Sequence, residues 1–432
     1  MAIAAIQDLE VDHMDVSNAF LNGTLKEDVY MQQPPGYEIG DSSQVCKLVK
    51  ALYGTRQAPH EWNNDINDFI LSLEFTRCKS DSCIYVKTSG TGKSIIVSLF
   101  VDDIIPIYSS VDKDEWSTIR AKFLNKYKMK DMGPAKWVLG MSVIRDRARR
   151  TIHIGQELYL KKILKTFGME SCKSSHTPAE DAVLSSKDSP ATIEEGRRTK
   201  YMAMVGSLLY AMLSTRWDIA QSVSALTRFM QNPGPAHMKA AEQVMRYMKG
   251  TTDRGLEYNG LNGDGSTETQ LKVTVYTDAD WAKDRNDCKS ITGYIVKLND
   301  CVISWSSKKQ STIALSSAES EYYALGSGTQ QLLWTKSLLA EVMMQSTPIT
   351  ATMKTDSQSA MAMCNKDNMH SRTKHIDVRH HFIRDHLKNK VMELQWVPTH
   401  HQLADILTKP LNKVKFKQMR DRIANWREGD AE

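Results

Sequence analysis

Ser98-Leu99-Phe100-Val101-Asp102-Asp103-Ile104-Ile105 is the stretch of this sequence that decides the fold. An apolar run leads into two adjacent aspartates, and a second apolar run follows them as far as Tyr108. This pattern predicts a β-hairpin with both carboxylates at its tip. Two neighbouring carboxylates in an apolar frame repel each other, and Mg²⁺ relieves that repulsion. Aspartates are also common turn residues, so the pair alone favours a plain polar turn, and only the rest of the chain favours a metal site.

The composition is that of a globular chain. Of the 432 residues, 41% are hydrophobic and 25% are charged, which predicts about three domains. The net charge of +5 is compatible with a nucleic-acid partner. The seven cysteines show no metal-ligand spacing, and their odd number favours reduced thiols inside a cell. Neither a membrane span nor a signal peptide is recognised, so we expect an intracellular protein, cytoplasmic or nuclear, without a membrane partner.

A third aspartate precedes the hairpin. Residues 3–14 favour an apolar strand that ends at Asp15, and residues 17–23 favour a short helix. Asp15 would then stand at a strand end, where a metal site beside Asp102 and Asp103 needs a carboxylate. A Gly/Pro loop at residues 50–59 leads into a predicted helix over residues 61–73. Pro106 lies within the outgoing hairpin strand, where it removes a ladder donor.

Residues 171–248 are predicted to form a connecting segment followed by helices. Residues 171–198 are rich in Ser, Lys, Asp and Glu, which is typical of a connecting segment. Helices are predicted over residues 201–213, 218–229 and 235–248. These helices fit a small basic unit beside a nucleic-acid duplex, and a plain solvent-facing bundle fits them as well.

A second set of carboxylates follows a glycine-rich linker at residues 260–266. Asp278 and Asp356 come at the ends of predicted strands, Glu321 lies in a predicted helix, and Asp405 opens a late helix. Such sheets gather strand-end residues at one edge, so we expect one shared site. The elements expected around these residues are strands at residues 271–276, 290–299, 301–308, 312–316, 349–354 and 393–397, and helices at residues 318–342 and 371–388. The histidines in residues 374–381 could bind a metal, but we favour the interpretation that this segment is a basic helix lying along the phosphates of a nucleic acid.

In this order, the motifs resemble the reverse transcriptase and ribonuclease H region of Pol polyproteins from copia-type long-terminal-repeat retrotransposons. The resemblance covers essentially the whole chain. It rests on residues 14–23, 52–59, 100–103, 132–140, 215–219 and 246–251, together with the carboxylates of the second set. It implies a multidomain α/β and α+β fold. The implied domains are a reverse transcriptase palm with partial fingers at residues 1–172, a helical thumb or connection at 173–262, a ribonuclease-H-like α/β domain at 263–411 and a charged C-terminal tail at 412–432.

The resemblance also implies two active sites, each with two Mg²⁺ ions or Mn²⁺ in their place. Asp15, Asp102 and Asp103 would serve an RNA-directed DNA polymerase that uses an RNA template, a DNA primer and deoxynucleoside triphosphates. Asp278, Glu321, Asp356 and Asp405 would cleave the RNA of RNA–DNA hybrids. Glu321 is preferred to Glu319 because Glu321-Tyr322-Tyr323-Ala324 matches the family spacing. Phe20, Tyr53 and Gln57 would contact the nucleotide, although Phe20 fits a core aromatic equally well.

Other interpretations stay open at this stage. The family carries a basic fingers region upstream of the first motif, so an amino-terminally truncated or decayed copy is one alternative, with its polymerase activity lost and its ribonuclease H retained. A remnant that only binds nucleic acid is a further alternative. A DDE-type integrase shares the ribonuclease-H-like architecture but does not explain the Asp102–Asp103 hairpin. Other Pol and Gag products are implied partners, within a virus-like particle for an active element.

Overall fold

The computed structural model of the chain describes residues 1–41, 43–180, 184–261, 270–344, 347–365 and 377–424, with side chains undescribed at 365 and 377–381. Parts of the predicted linker at 260–266 and of the predicted helix at 371–388 lie outside these residues. The chain divides into two compact units. The amino-terminal unit is Gln7–Leu139 with Leu338–Ser346, and the carboxyl-terminal unit is Met1–Ile6, Gly140–Ser337 and Thr347–Glu432. The expectation of a multidomain chain mixing helices and sheets is confirmed.

Helices and strands both occur in each half of the described chain. The helices are α1 (Ala2–Ile6), α2 (Ala58–Ser72), α3 (Lys113–Lys126), α4 (Glu157–Thr166), α5 (Glu195–Ser214), α6 (Ala220–Thr227), α7 (Pro235–Lys249), α8 (Ser317–Val342), α9 (Gln358–Asn365), α10 (Asp377–Lys388) and α11 (Lys413–Ala424). The strands are β1 (Glu10–Val16), β2 (Tyr30–Gln32), β3 (Val45–Lys47), β4 (Thr76–Arg77), β5 (Ile84–Thr88), β6 (Ser94–Phe100), β7 (Asp103–Tyr108), β8 (Met129–Pro134), β9 (Trp137–Val138), β10 (Met141–Asp146), β11 (Thr151–Gly155), β12 (Leu256–Asn259), β13 (Leu271–Asp280), β14 (Ile291–Leu298), β15 (Cys301–Lys309), β16 (Ile349–Thr355) and β17 (Glu393–Trp396).

The amino-terminal unit is built on a six-stranded sheet in the order β4-β5-β6-β7-β1-β8. Its core includes Trp62, Ile66 and Ile70, which recur every fourth residue along α2 and so share one helix face. The predicted hairpin is confirmed, because β6 pairs with β7 in antiparallel register and Phe100 lies opposite Asp103. Pro106 does not end β7: it lies opposite Val97 of β6, and the strand continues to Tyr108.

Two strand predictions are wrong. The strand expected over residues 3–14 begins only at Glu10, because the alanine-rich start forms α1 instead. Asp15 therefore lies within β1, one residue before its end. No strand forms over residues 312–316, all of which the structure describes. There the Leu315 amide donates to the Glu319 carboxylate at 2.8 Å, and this hydrogen bond stabilises the amino-terminal end of α8.

The carboxyl-terminal unit contains a mixed five-stranded sheet in the order β15-β14-β13-β16-β17. β13, β14 and β15 are antiparallel neighbours, whereas β16 runs parallel to β13 and β17 runs parallel to β16. The strands predicted at residues 290–299 and 301–308 are confirmed as β14 and β15, which form a hairpin. Asn299 and Asp300 form its two-residue turn with φ of 45° and 67°, which is the backbone geometry that tight hairpins favour.

The bounds of the two units differ from the predicted domain limits. The units separate at residues 139 and 140, not at 172, because β11 pairs with β12 as well as with β10. The helices predicted as a separate thumb or connection share a unit with the five-stranded sheet. Side chains join them: the Trp305 indole donates to the Met212 carbonyl at 3.0 Å, and Arg228 pairs with Asp284 at 2.6 Å.

The expectation of a charged tail from residue 412 needs correction for α11. Phe416, Met419 and Ile423 on this helix are buried, as their spacing of three and four residues predicts for one apolar face. The Phe416 ring meets the Tyr247 ring edge-on, with centroids 5.5 Å apart. Within the described residues, α11 is therefore part of the carboxyl-terminal unit and its core.

Arg216 and Asp218 form an ion pair in the same core, where their side chains are 1% and 2% exposed. The Arg216 guanidinium donates to both Asp218 oxygens and to the Thr251 carbonyl. Tyr247 donates its hydroxyl to Asp218 at 2.6 Å. Burial acts to raise the pKa of Asp218, but Arg216 and Tyr247 outweigh it and hold that pKa below its ordinary value. Two motifs of the sequence, residues 215–219 and 246–251, thus meet in one buried polar network.

Candidate active sites

Asp278, Glu321 and Asp356 converge in the carboxyl-terminal unit. One carboxylate oxygen from each lies within 4.8 Å of the others. Asp278 is on β13 and Asp356 directly follows β16. Tyr276 pairs with Lys354 on these parallel strands, so the two aspartates stand two residues further along each strand, on the same face. Glu321 reaches them from the first turns of α8.

The electrostatics of this cluster suit a divalent cation. The pKa of Asp278 is raised to about 7. Burial is the main cause, Asp405 and Asp356 add to the rise, and Lys409 and Thr408 oppose it. Burial, followed by repulsion from Asp278 and Asp356, raises the pKa of Glu321 to about 9. The Oε2 atom of Glu321 is buried and has no hydrogen-bond partner. A cation bound here would supply that missing partner and remove the repulsion, so the donor set fits the Mg²⁺ expected from the sequence.

Asp405, the fourth expected ligand, lies outside the cluster of three. Its side chain is 0% exposed. Lys409 Nζ approaches its Oδ1 at 2.9 Å, and Lys415 Nζ approaches its Oδ2 at 2.6 Å. Both oxygens therefore already face ammonium groups.

Several residues around this cluster were missed by the sequence analysis. Thr408 donates its hydroxyl to Asp278 Oδ2. Lys409 stands four residues after Asp405, a spacing that brings opposite charges together on a helical turn and was a usable signal. The Trp396 indole donates to the Asp356 carbonyl at 3.1 Å. That contact joins β17 to the end of β16 and had no signal in the sequence.

The expected polymerase aspartates lie on and beside the neighbouring strands β1 and β7 of the amino-terminal unit. Asp15 lies directly opposite Asp103 in the β1–β7 pairing, and the Val16 amide donates to the Asp102 carbonyl at 2.9 Å. These three side chains do not form a group with ligand oxygens as close as those of the other cluster. His13 Nε2 lies 2.5 Å from Asp103 Oδ1, an interaction that the sequence analysis missed.

The hairpin tip is fixed by Val101 and Trp62. Val101 has a φ of 55°, an unfavourable conformation for a β-branched residue. Its carbonyl accepts a hydrogen bond from the Trp62 indole at 2.7 Å. Packing from α2 thus supports a strained turn beside Asp102.

The three residues expected to contact a nucleotide fall in two places. The rings of Phe20 and Tyr53 meet at 4.8 Å between centroids. Phe20 is also partly buried against the core, so the core interpretation of this residue is compatible with its position. Gln57 precedes α2 and donates to Glu27 at 3.1 Å.

Comparisons with known proteins show the family of the chain. The family model described as "Reverse transcriptase (RNA-dependent DNA polymerase)" matches residues 1–181. The Pol polyprotein of transposon TNT 1-94 from Nicotiana tabacum is 38% identical over 428 residues, which cover 98% of this chain and 31% of that polyprotein. The Pol polyprotein of transposon RE1 from Arabidopsis thaliana is 35% identical, with 98% and 28% covered. The putative transposon Ty5-1 protein of Saccharomyces cerevisiae is 30% identical over 312 residues, which cover 97% of its length.

The chain belongs to the Pol family of copia-type retrotransposons. It spans about a third of the length of the TNT 1-94 and RE1 polyproteins it matches. Solved structures similar to this Pol chain include the N-terminal RNase H domain of rv2228c from Mycobacterium tuberculosis, at 18% identity and a TM-score of 0.24. That match covers 35% of the Pol chain and 98% of the other chain. No described helix of the Pol chain is long and apolar enough to cross a membrane.

We expect the stability of the ion-free Pol chain to fall as the pH rises from 7 to 9. Glu321 has a folded pKa of about 9, above its unfolded value, so over this interval the folded state holds a proton that the unfolded state has lost. Stability is therefore lost with rising pH. The melting temperature, measured in a chelator, should fall between pH 7 and pH 9. The Glu321→Gln variant should show a smaller fall, and the difference measures the contribution of Glu321. A variant with the same pH dependence as the wild type would contradict the prediction.

Proposed function

We propose that the carboxyl-terminal unit is a ribonuclease H that cleaves the RNA strand of RNA–DNA hybrids. The observation that carries this proposal is the convergence of Asp278, Glu321 and Asp356 on one edge of the five-stranded sheet. Divalent ions bound by these residues would activate water and stabilise the leaving oxygen of a phosphodiester, and two-metal sites are one form of this chemistry. Mg²⁺ is the expected ion, and Mn²⁺ is the alternative.

The protein's own contribution is to hold the carboxylates in place for a divalent ion. Thr408 donates to Asp278, and Trp396 holds the backbone of Asp356. A hybrid substrate would be recognised through its backbone and 2′-hydroxyl groups, with little base reading. The overall positive charge of the chain favours such a substrate.

A second activity, RNA-directed DNA synthesis, is proposed for the amino-terminal unit. It is supported by the reverse transcriptase family match over residues 1–181 and by the position of Asp15 opposite Asp103. Asp15, Asp102 and Asp103 would hold two Mg²⁺ ions, with Phe20, Tyr53 and Gln57 near the deoxynucleoside triphosphate. An RNA template and a DNA primer are the corresponding partners. An intracellular place of action beside other Pol and Gag products belongs to the same proposal.

We expect Asp102→Asn to abolish primer extension on poly(rA)–oligo(dT) while hybrid cleavage continues. The reason is that Asp102 belongs to the amino-terminal unit and the other carboxylate cluster to the carboxyl-terminal unit. Extension and cleavage are measured on one preparation with Mg²⁺. Asp114→Asn, at an exposed position on α3, is the matched control and should leave both activities in place.

The two proposals fail separately. Cleavage without any extension in the wild type would refute the polymerase proposal and leave the ribonuclease proposal standing. Extension without hybrid cleavage would do the reverse. A DNA–DNA duplex of the same sequence should stay intact, and its cleavage would contradict the proposed substrate.

A further inference from the structure

Lys409 stands between two carboxylates of the candidate ribonuclease site. Its Nζ lies 2.9 Å from Asp405 Oδ1 and 3.9 Å from Asp278 Oδ2. The side chain of Lys409 is 31% exposed, whereas those of Asp278 and Asp405 are 3% and 0% exposed. The Lys409 ammonium therefore lies between these two buried carboxylates and the solvent.

Each oxygen of Asp405 has an ammonium group beside it, and its Oδ1, like Glu321 Oε2, accepts no hydrogen bond. Lys415 Nζ lies 2.6 Å from Oδ2, and Lys409 takes the side of Oδ1. The two lysines supply positive charge opposite this buried carboxylate. An ion that used Asp405 as a ligand would first have to displace Lys409.

The three other carboxylates are in the opposite situation. Asp278, Glu321 and Asp356 face one another without an ammonium among the three, and Glu321 Oε2 has no partner. Lys409 Nζ is 3.9 Å from Asp278 Oδ2, whereas ammonium groups lie 2.9 Å and 2.6 Å from the two oxygens of Asp405, so the positive charge is concentrated on the Asp405 half. The asymmetry predicts different behaviour of the two halves towards divalent ions.

We propose that the Lys409 ammonium takes the place of a second divalent ion between Asp278 and Asp405, so that the chain without nucleic acid binds one ion at Asp278, Glu321 and Asp356. This inference rests on the proposed ribonuclease function of the site. Lys409 is a positioning residue here: it orients and charges Asp278 through contact, and it contacts no reacting atom. A second ion can enter only when Lys409 moves away.

The test is a count of bound Mn²⁺ by electron paramagnetic resonance on the full chain. Asp102→Asn and Asp103→Asn are included throughout to remove the contribution of the hairpin carboxylates. The parent chain is expected to bind one ion that Asp278→Asn removes. Lys409→Met keeps an unbranched side chain without its charge, and we expect it to bind one further ion and to hold the first about tenfold more tightly.

Three variants serve as controls. Lys409→Arg restores a cation and should return the count to that of the parent. Asp405→Asn combined with Lys409→Met should lose the added ion. Lys413→Met removes an exposed lysine of α11 and should change nothing.

The inference is overturned when the parent chain already binds two ions that Asp278→Asn removes. This outcome does not depend on whether a Lys409 variant folds. The inference is also overturned when folded Lys409→Met binds no more than the parent. Hybrid cleavage is measured on matching chains without the Asp102 and Asp103 substitutions. Absent cleavage with the expected ion counts would refute the proposed function alone, and cleavage with unchanged counts would refute this inference alone.

Discussion

Glu321→Gln should abolish hybrid cleavage and, in the absence of divalent ions, make the carboxyl-terminal unit more resistant to heat. The expected loss of cleavage is about three orders of magnitude, because the substitution removes the charge of one of three converging ligands. Substitutions that lower activity by disturbing the fold lower stability as well. Opposite directions for the two quantities therefore identify a residue whose charge is kept for function.

The expected gain in stability has a direct physical cause. Burial and the neighbouring Asp278 and Asp356 disfavour the charged form of Glu321 and raise its pKa to about 9. A glutamine is neutral at every pH, and its amide can donate to the carboxylates that repel Glu321. We expect a rise in melting temperature of about 1–2 °C, the shift that about 1 kcal/mol produces in a unit of nearly 300 residues.

Glu319→Gln is the matched control, two residues earlier on α8. The Glu319 carboxylate accepts hydrogen bonds from the Leu315 amide at 2.8 Å and from the Tyr323 hydroxyl at 3.2 Å. Its charge is thus stabilised by donors, and its loss should lower the melting temperature while cleavage stays within about tenfold of the wild type. Calorimetry in a chelator and gel-based cleavage decide both outcomes. Equal effects of the two variants would show that neither glutamate has a distinct role.

Asp218→Ala should destabilise the carboxyl-terminal unit by about 3–5 kcal/mol, the typical cost of leaving one partner of a buried ion pair unpaired. Arg216 would keep its hydrogen bonds to Thr251 but lose both bonds to a carboxylate, with its side chain 1% exposed. Tyr247 would lose the acceptor of its hydroxyl at the same time. The free energy of unfolding from urea titrations, followed by circular dichroism, measures the loss.

Two comparisons separate the buried pair from ion pairs in general. Replacing both partners, as Arg216→Met with Asp218→Leu, removes the unpaired charge and should recover much of the stability. Glu157→Ala breaks the pair of Glu157 with Lys161 on α4, where the side chains are 48% and 59% exposed, and should cost no more than about 1 kcal/mol. A small effect of Asp218→Ala would mean that water or neighbouring groups compensate Arg216.

Much of the local structure could be predicted because it depends on neighbours in sequence. Alternating apolar residues on both sides of Asp102 and Asp103 determine the β6–β7 hairpin, and two residues that tolerate positive φ determine the β14–β15 turn. The four-residue spacing of Trp62, Ile66 and Ile70 determines the buried face of α2. The errors occurred where local patterns compete, as in the alanine-rich start that became α1.

The sequence by itself determined which carboxylates stand at strand ends and on α8, because period and spacing are properties of the chain alone. Only the tertiary structure decided which of them converge. It brought Asp278, Glu321 and Asp356 together, placed Asp405 between Lys409 and Lys415, and placed His13 against Asp103. It also buried α11 and joined residues 140–155 to β12. These outcomes depend on elements distant in sequence, whose approach is set by the packing of whole sheets and helices and not by any local pattern.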